Sequence, residues 1–352
     1  MKRWLRNRKF NATDAPHGVS VAKKTLGYII ILWFFLVHFV AIAQNQIPMI
    51  SISGEAQGTT YHIKYFDSQN RNFKTQIDSI LNDFDKCLSI YRTDSEISEF
   101  NRSDSHTFKS PYFYQVLKKS KEVYLATNGA FDPTIMPLVE AYGFGPKKNK
   151  NPGNINLDSL LKLVGFNQIE FDSLSVKKKK PNLSLDFNGI AQGYSVDLIG
   201  KFLQRQNINQ YMVEIGGEIL CKGNKNDGKP WVTGIENPLK LGSLEVTVQL
   251  SNKAMTTAGN YRNHFEKDGQ VFNHIINPKT GSMEQSSLLS VTVFAKDAIT
   301  ADGYDTAFFV MGLEETKKFL AGRKDIDVYM VYTDDAGKLN TYVTDGIKDL
   351  IL

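Results

Sequence analysis

Hydrophobic and polar positions sort the chain into alternating stretches and helical ones. Thr59–Phe66, TTYHIKYF, alternates with the two-residue period of a half-buried strand. Between residues 73 and 90, Ile77, Ile80, Leu81, Phe84 and Leu88 recur at helical spacing, which predicts an amphipathic helix. A second helix is predicted over 112–127, stopped by Asn128-Gly129. Residues 145–154 are crowded with Gly, Pro, Lys and Asn and read as an exposed loop. LSLDF at 183–187 then reads as a strand, and a helix runs through 195–206. YMVEI, WVTGIEN, LEVTVQL, FNHIIN and SVTVFA follow as strands, before a helix from Asp302 and a last hairpin turning at Asp335-Ala336-Gly337. Strands that succeed one another without intervening helices argue for an α+β fold, with mixed or antiparallel sheets packed against helices, and against a doubly wound parallel sheet.

The N-terminal end adds a targeting signal. Residues 1–24 carry Lys2, Arg3, Arg6, Arg8, Lys9, Lys23 and Lys24 against the single acid Asp14, ahead of the uncharged run LGYIIILWFFLVHFVAIA at 26–43. That length sits at the border between a signal-peptide core and a membrane anchor. Ala41-Ile42-Ala43 before Gln44 has the small-x-small form of a cleavage site and favours the signal peptide. Either way, the flanking charge keeps a basic head, residues 1–25, in the cytoplasm and sends 44–352 across the membrane as an extracytoplasmic (periplasmic) domain, free or tethered to the inner membrane. The formal charge of +5 belongs to this head: from Gln44 onward 35 basic residues face 36 acidic ones. The exported part therefore carries no electrostatic footprint for nucleic acid. Lys177–Lys180 reads as a solvated turn. Cys87 and Cys221 are the only cysteines, and neither follows the apolar run where a lipoprotein cysteine would stand. Their settings read as two buried free thiols rather than a disulfide.

Candidate chemistry gathers in five stretches. In TADGYDTAFFVMG, 300–312, a helix beginning near Asp302 would set Asp302, Asp305 and Thr306 at i, i+3 and i+4 on one face. The trio is either a helix cap suited to the dipole, or a set of hard oxygen ligands for Mg²⁺ or a similar ion. In LDFNGIAQGYSVD, Asp186 ends the predicted strand, and Gly189 and Gly193 flank a turn into a helix. Such glycines let a backbone approach a ligand, and a helix N-terminus offers N–H groups to phosphate, although a plain strand-to-helix turn has the same pattern. IGGE, 215–218, puts two glycines in what reads as a strand, as where another chain or a ligand passes close. In GAFDP, Phe131 beside Asp132 suits an aromatic ligand, and Asp-Pro is equally an ordinary turn opener. HIINPKTG places His274 on a strand before a turn, as a structural donor or a catalytic group. No nucleophile elbow, H-E-x-x-H or cysteine cluster occurs, which argues against serine and zinc hydrolases.

Eight stretches in order, GEAQGTTYHI, SIYRTDSEISEFN, GAFDPTIMPLVEAYGFG, LDFNGIAQGYSVD, IGGE, TTAGNYRNHF, HIINPKTG and ADGYDTAFFVMG, resemble the ApbE-type FAD:protein FMN transferases from about Gly54 to the C-terminus. The resemblance implies an ApbE-like flavin transferase fold and Mg²⁺-dependent transfer of FMN from FAD to a Thr or Ser hydroxyl of an exported or membrane protein, with AMP released. It implies Mg²⁺ ligands at Asp302, Asp305, Thr306 and the Gly189 carbonyl. It places FAD along Gln57, Tyr91, Ala130, Phe131, Asp132, Asp186, Gln192 and Ile276, with His274 as general base. Acceptors implied are subunits of sodium-pumping NADH:quinone oxidoreductase or Rnf complexes. Two other activities fit the same stretches: a Mg²⁺-dependent FAD pyrophosphatase, and a non-catalytic extracytoplasmic flavin-binding protein. The chain departs from the family pattern at Gln57 (commonly Met), Gln192 (commonly Lys or an acid), Asn277 (commonly Asp) and Asn188 (commonly Gly or Ser). These changes bear on FAD affinity and leave the metal ligands and His274 in place.

Overall fold

The structure, a computed structural model, describes residues 47–146, 155–260, 264–267, 270–273, 275–283 and 287–352, with backbone alone over 264–273. The apolar run 26–43, most of the 145–154 loop and His274 lie outside the described residues. Among those described, no helix is long and apolar enough to cross a membrane.

Met49–Ala56 (β1) and Thr59–Phe66 (β2) form a hairpin whose turn, Gln57-Gly58, has φ of 55° and 73°. Helices Lys74–Leu88 (α1) and Glu96–Asn101 (α2) follow, then Ser105–Thr107 (β3) and Pro111–Ala126 (α3). Met136–Ala141 (α4) and Leu157–Leu161 (α5) lead to Ile169–Phe171 (β4) and Ser175–Lys178 (β5). Ala191–Arg205 (α6) then enters Tyr211–Ile215 (β6) and Glu218–Lys222 (β7). Next come Trp231–Glu236 (β8), Leu244–Leu250 (β9), Lys253–Gly259 (β10), His264–Lys267 (β11), Gln270–Asn273 (β12) and Leu288–Ala295 (β13). Ala298–Leu320 (α7), Asp327–Thr333 (β14) and Leu339–Val343 (β15) complete the fold.

Residues 48–352 form one compact unit around an eight-stranded antiparallel sheet in the order β1-β2-β6-β7-β10-β13-β14-β15. Strand alternation sends side chains to both faces. On one face Ile63, Tyr65, Val213 and Ala254 pack with Ile77 and Leu81 of α1, Val196 and Ile199 of α6, and Ala298 of α7. On the other, Ile219, Cys221, Met255 and Phe294 pack with Trp231, Ile235, Val248 and Leu250 of the β8–β9 hairpin. The α+β class with antiparallel sheets is the one predicted. Both cysteines are buried free thiols.

Four sequence expectations change. β1 went unseen because only Ile52 of its eight residues is buried, so an edge strand left a faint alternation. LSLDF joins no ladder: a side chain stands where a neighbouring strand would. Leu185 N–H donates to Asn101 Oδ1 (2.8 Å), and Asn101 Nδ2 donates to the Leu185 carbonyl (2.9 Å). Asp186 N–H donates to the Pro133 carbonyl (2.7 Å). Removing that clamp with Asn101→Ala orphans two backbone groups and is expected to cost about 2 kcal/mol in chemical denaturation. IGGE is a two-residue turn between β6 and β7, with Gly216 and Gly217 at φ of 63° and 105°, where glycine is the residue without a steric cost. The lysine run is not all solvated either. Lys177 and Lys178 belong to β5, and buried Lys178 donates to the Asn101 carbonyl (3.0 Å) with its ammonium over the Phe100 ring.

Candidate active site

The long helix α7 begins at Ala298, a full turn before Asp302, and its cap is Asp297, which accepts from Thr300 N–H (3.0 Å). Asp197 of α6 takes the N–H groups of Ala298 and Ile299 (2.9 and 3.0 Å). The orphan donors of the helix start are thus satisfied without Asp302 or Asp305, and the capping reading of the trio falls. Asp302 and Asp305 are 4% and 2% exposed. Asp302 accepts one hydrogen bond, from Gly193 N–H in the first turn of α6 (2.7 Å). Asp305 lies against the Thr306 hydroxyl (3.3 Å) and the Thr256 hydroxyl of β10.

Burial pushes both carboxyls above the usual carboxylate range; the charge of Asp197 adds to this at Asp302, and the charge of Asp302 adds to it at Asp305. No basic side chain among the described residues offsets them. Two adjoining buried acids without a counter-charge are costly in a folded protein unless a cation joins them. Two carboxylates and a hydroxyl on one helix face are hard oxygens, the donor chemistry that suits Mg²⁺. Among the described residues no group of three or more His, Cys, Asp or Glu is placed to hold a metal.

Gly189 completes this corner. A Cβ on it would stand 3.0 Å from Thr306 Oγ1 and 3.5 Å from the Phe131 ring, so only a bare backbone passes between them. Phe131 and Ala130 are buried under α3 and the 183–190 segment. Asp132 turns away from the ligand role that its place in the sequence implied. Its Oδ1 caps Thr134 (N–H at 2.8 Å, hydroxyl at 2.6 Å) and its Oδ2 accepts from Phe166 N–H (3.0 Å). It shapes the Phe131 step and has little left to offer a ligand. Asp186, its pKa pushed up to about 6 by burial, accepts from Asn188 N–H (2.8 Å). Exposed Tyr91 hydrogen-bonds to the Asn188 side chain above it.

Gln57 and Gln192 form a second corner. Ser195 Oγ donates to the Gln192 carbonyl (2.7 Å) and to Gln57 Oε1 (3.3 Å), tying the β1–β2 turn to α6. Gln57 Nε2 is buried without a hydrogen-bond partner, an idle donor at this corner. Gln192 lies over the β6–β7 turn, where a Cβ on Gly216 would meet its Cδ at 2.9 Å. The two corners adjoin because Gln192 and Gly193 are neighbours on one helical turn. On the third side, Ile276 packs with Leu138, Val139 and Tyr142, and the Tyr142 hydroxyl donates to the Gly281 carbonyl (2.8 Å). That bond draws the 275–283 turn to the Phe131 step, with Lys279 Cε 3.8 Å from where a Gly129 Cβ would stand. His274, one residue before this turn, lies outside the described residues. Thr256 was missed from the sequence, because a threonine in a strand gives no sign that its hydroxyl will meet a buried acid.

Residues 57–330 match the model of the ApbE family. The chain is 37% identical over 313 residues to the FAD:protein FMN transferase of Haemophilus influenzae, spanning 84% of this chain and 90% of that one. It is 36% identical to the Vibrio cholerae FAD:protein FMN transferase, spanning 88% and 94%. Among solved structures it superposes on the flavin transferase ApbE from Vibrio cholerae with a TM-score of 0.78 at 34% identity, covering 86% of this chain and 99% of that one. The Pseudomonas stutzeri flavinyl transferase ApbE, apo form, gives a TM-score of 0.78 at 30% identity, covering 87% and 98%.

Proposed function

This chain belongs to the ApbE family, and on that premise we propose how its own residues carry FMN from FAD to a protein. It is an enzyme, an FAD:protein FMN transferase. The observation that carries the mechanism is the buried pair Asp302 and Asp305, uncapped, uncompensated and sharing a helix face with Thr306. Asp302, Asp305, Thr306 and the Gly189 carbonyl hold Mg²⁺. Bound there, the ion supplies neutralisation of the crowded pyrophosphate charge and of the departing AMP. Gln57, through its idle Nε2, and Gln192 face the nucleotide at the start of α6, while Phe131, Ala130 and Ile276 supply apolar surface for the flavin portion. Asp186, Asn188 and Tyr91 close the exposed side. Asp132 holds the Phe131 step in shape.

His274 takes the proton of the acceptor Thr or Ser hydroxyl as its oxygen bonds to the FMN phosphorus and the bond to AMP breaks. A hydroxyl is a poor nucleophile, so losing this base is expected to slow transfer by about 10²–10⁴-fold. His274→Ala should leave FAD affinity, read by flavin fluorescence, unchanged. The acceptor is an exported or membrane flavoprotein subunit, of the kind found in sodium-pumping NADH:quinone oxidoreductase or Rnf complexes, and residues 26–43 carry the catalytic domain across the membrane to reach it.

Mass spectrometry of a candidate acceptor incubated with the protein, FAD and Mg²⁺ tests this reading. Gain of one FMN, absent with EDTA and with His274→Ala, supports it. Free FMN and AMP beside an unmodified acceptor would mean that water is the acceptor, and the activity a pyrophosphatase. No FAD turnover at all would leave a flavin-binding protein.

A further inference from the structure

Thr256 stands in the middle of β10, between β7 and β13, on the strand face that meets α7. Its neighbours on that face are both alanines: Ala254 packs with Ala298 at the start of α7, and Ala258 against the cluster that holds Ala301, Ala307 and Phe308. Small residues there let the helix lie close to the strand, and Thr256 is fully buried between them. Its Oγ1 makes no ordinary hydrogen bond. The adjacent Thr257, on the opposite face, shows how such a hydroxyl is usually satisfied: it bonds across the ladder to Thr292 at 2.9 Å. Valine would fill the space of Thr256 without burying an idle donor, so packing does not account for the hydroxyl. The polar group it meets is the Asp305 carboxylate.

We propose that Thr256 is a positioning residue of the cation site: its hydroxyl donates to Asp305 and fixes the direction in which that carboxylate faces the ion. This rests on the reading that Asp302, Asp305 and Thr306 hold Mg²⁺. Partners that hydrogen-bond a ligating group fix its orientation, and losing one typically costs about 10–100-fold in metal affinity. At Asp305 the Thr256 hydroxyl joins two donors from Thr306, the backbone N–H and the hydroxyl, and that second hydroxyl is itself assigned to the ion.

The test is Mn²⁺ binding to the full chain without FAD, by calorimetry, for wild type, Thr256→Val, Thr256→Ser and Asp305→Asn. Thr256→Val is expected to weaken binding about 10-fold, while its melting temperature in EDTA stays at or above that of wild type. Thr256→Ser, which keeps the donor, should bind as wild type does. Wild-type affinity in Thr256→Val overturns the proposal, and so does a Thr256→Ser variant as weak as Thr256→Val, since shape and not the hydroxyl would then matter. If Asp305→Asn also binds like wild type, the metal reading itself falls and takes Thr256 with it. Loss in Asp305→Asn with none in Thr256→Val sinks Thr256 alone.

Discussion

Replacing Asp302 and Asp305 together by asparagine is expected to abolish FMN transfer and, in metal-free buffer, to make the protein more stable. The two effects have opposite signs for one reason. Without a cation the pair is a liability: two buried carboxyls sit side by side, and Asp197 lies close to Asp302. Asparagine keeps the shape and removes the charge. The melting temperature in EDTA should rise by several degrees, with about 2–4 °C for each kcal/mol relieved. With Mg²⁺ the order reverses, because wild type alone gains the ion's binding energy. Losing the ion should remove several kcal/mol of transition-state stabilisation, a slowing of about 10³-fold or more. The pH dependence has a definite sign. Both carboxyls titrate above their unfolded values, so the folded protein keeps protons that the unfolded chain has released. Stability of the metal-free wild type therefore falls as pH rises from the ordinary carboxylate range through the raised folded values, and the doubly substituted protein is flatter over that window. Thermal melts across pH with EDTA or Mg²⁺ check all of this. A doubly substituted protein that still transfers FMN, or that melts below wild type in EDTA, would refute the assignment.

What the sequence conveyed about the fold follows from how each signal is carried. Helix α1 and strands β2, β6 and β13 were visible because burial on one face imposes a period, and periods survive in the letters. Strand β1 was hidden because an edge strand with a single buried residue imposes almost none. LSLDF was apolar enough for a strand, yet its partner is the side chain of Asn101, more than eighty residues away, and no local pattern could announce that. The site shows the same division. The Asp302, Asp305 and Thr306 spacing is local, so their shared face could be read directly; whether they capped the helix depended on Asp197 and Asp297, which only the fold brings to Ala298 and Thr300. Asp132 shows the reverse: its motif implied a ligand contact, while the fold spends its carboxylate on Thr134 and Phe166.

Gly193→Ala is expected to damage the protein more than any other single methyl group added along α6. At an ordinary helical site this change favours the folded state by about 0.5–1 kcal/mol. Here a Cβ would press into the Ala298 carbonyl and stand 2.7 Å from Asp302 Cβ. Those obstacles are the backbone of α7 and the root of the Asp302 side chain, neither of which can rotate away. Gly200, two turns later on the same helix, makes the comparison. A Cβ there meets Leu220 Cδ2 at 2.8 Å and Tyr211 Oη at 2.9 Å, the outer atoms of side chains that can shift. Gly193→Ala must therefore push α6 and α7 apart, at a cost of about 3 kcal/mol, whereas Gly200→Ala should be milder. Separation of the helices also stretches the bond from Gly193 N–H to Asp302 (2.7 Å) and draws Gly189 away from Thr306. Loss of Mn²⁺ affinity should thus accompany loss of stability in Gly193→Ala and be absent in Gly200→Ala. Equal melting temperatures for the two variants, or normal metal binding in a destabilised Gly193→Ala, would show that this crossing of helices does not set the geometry of the cation site.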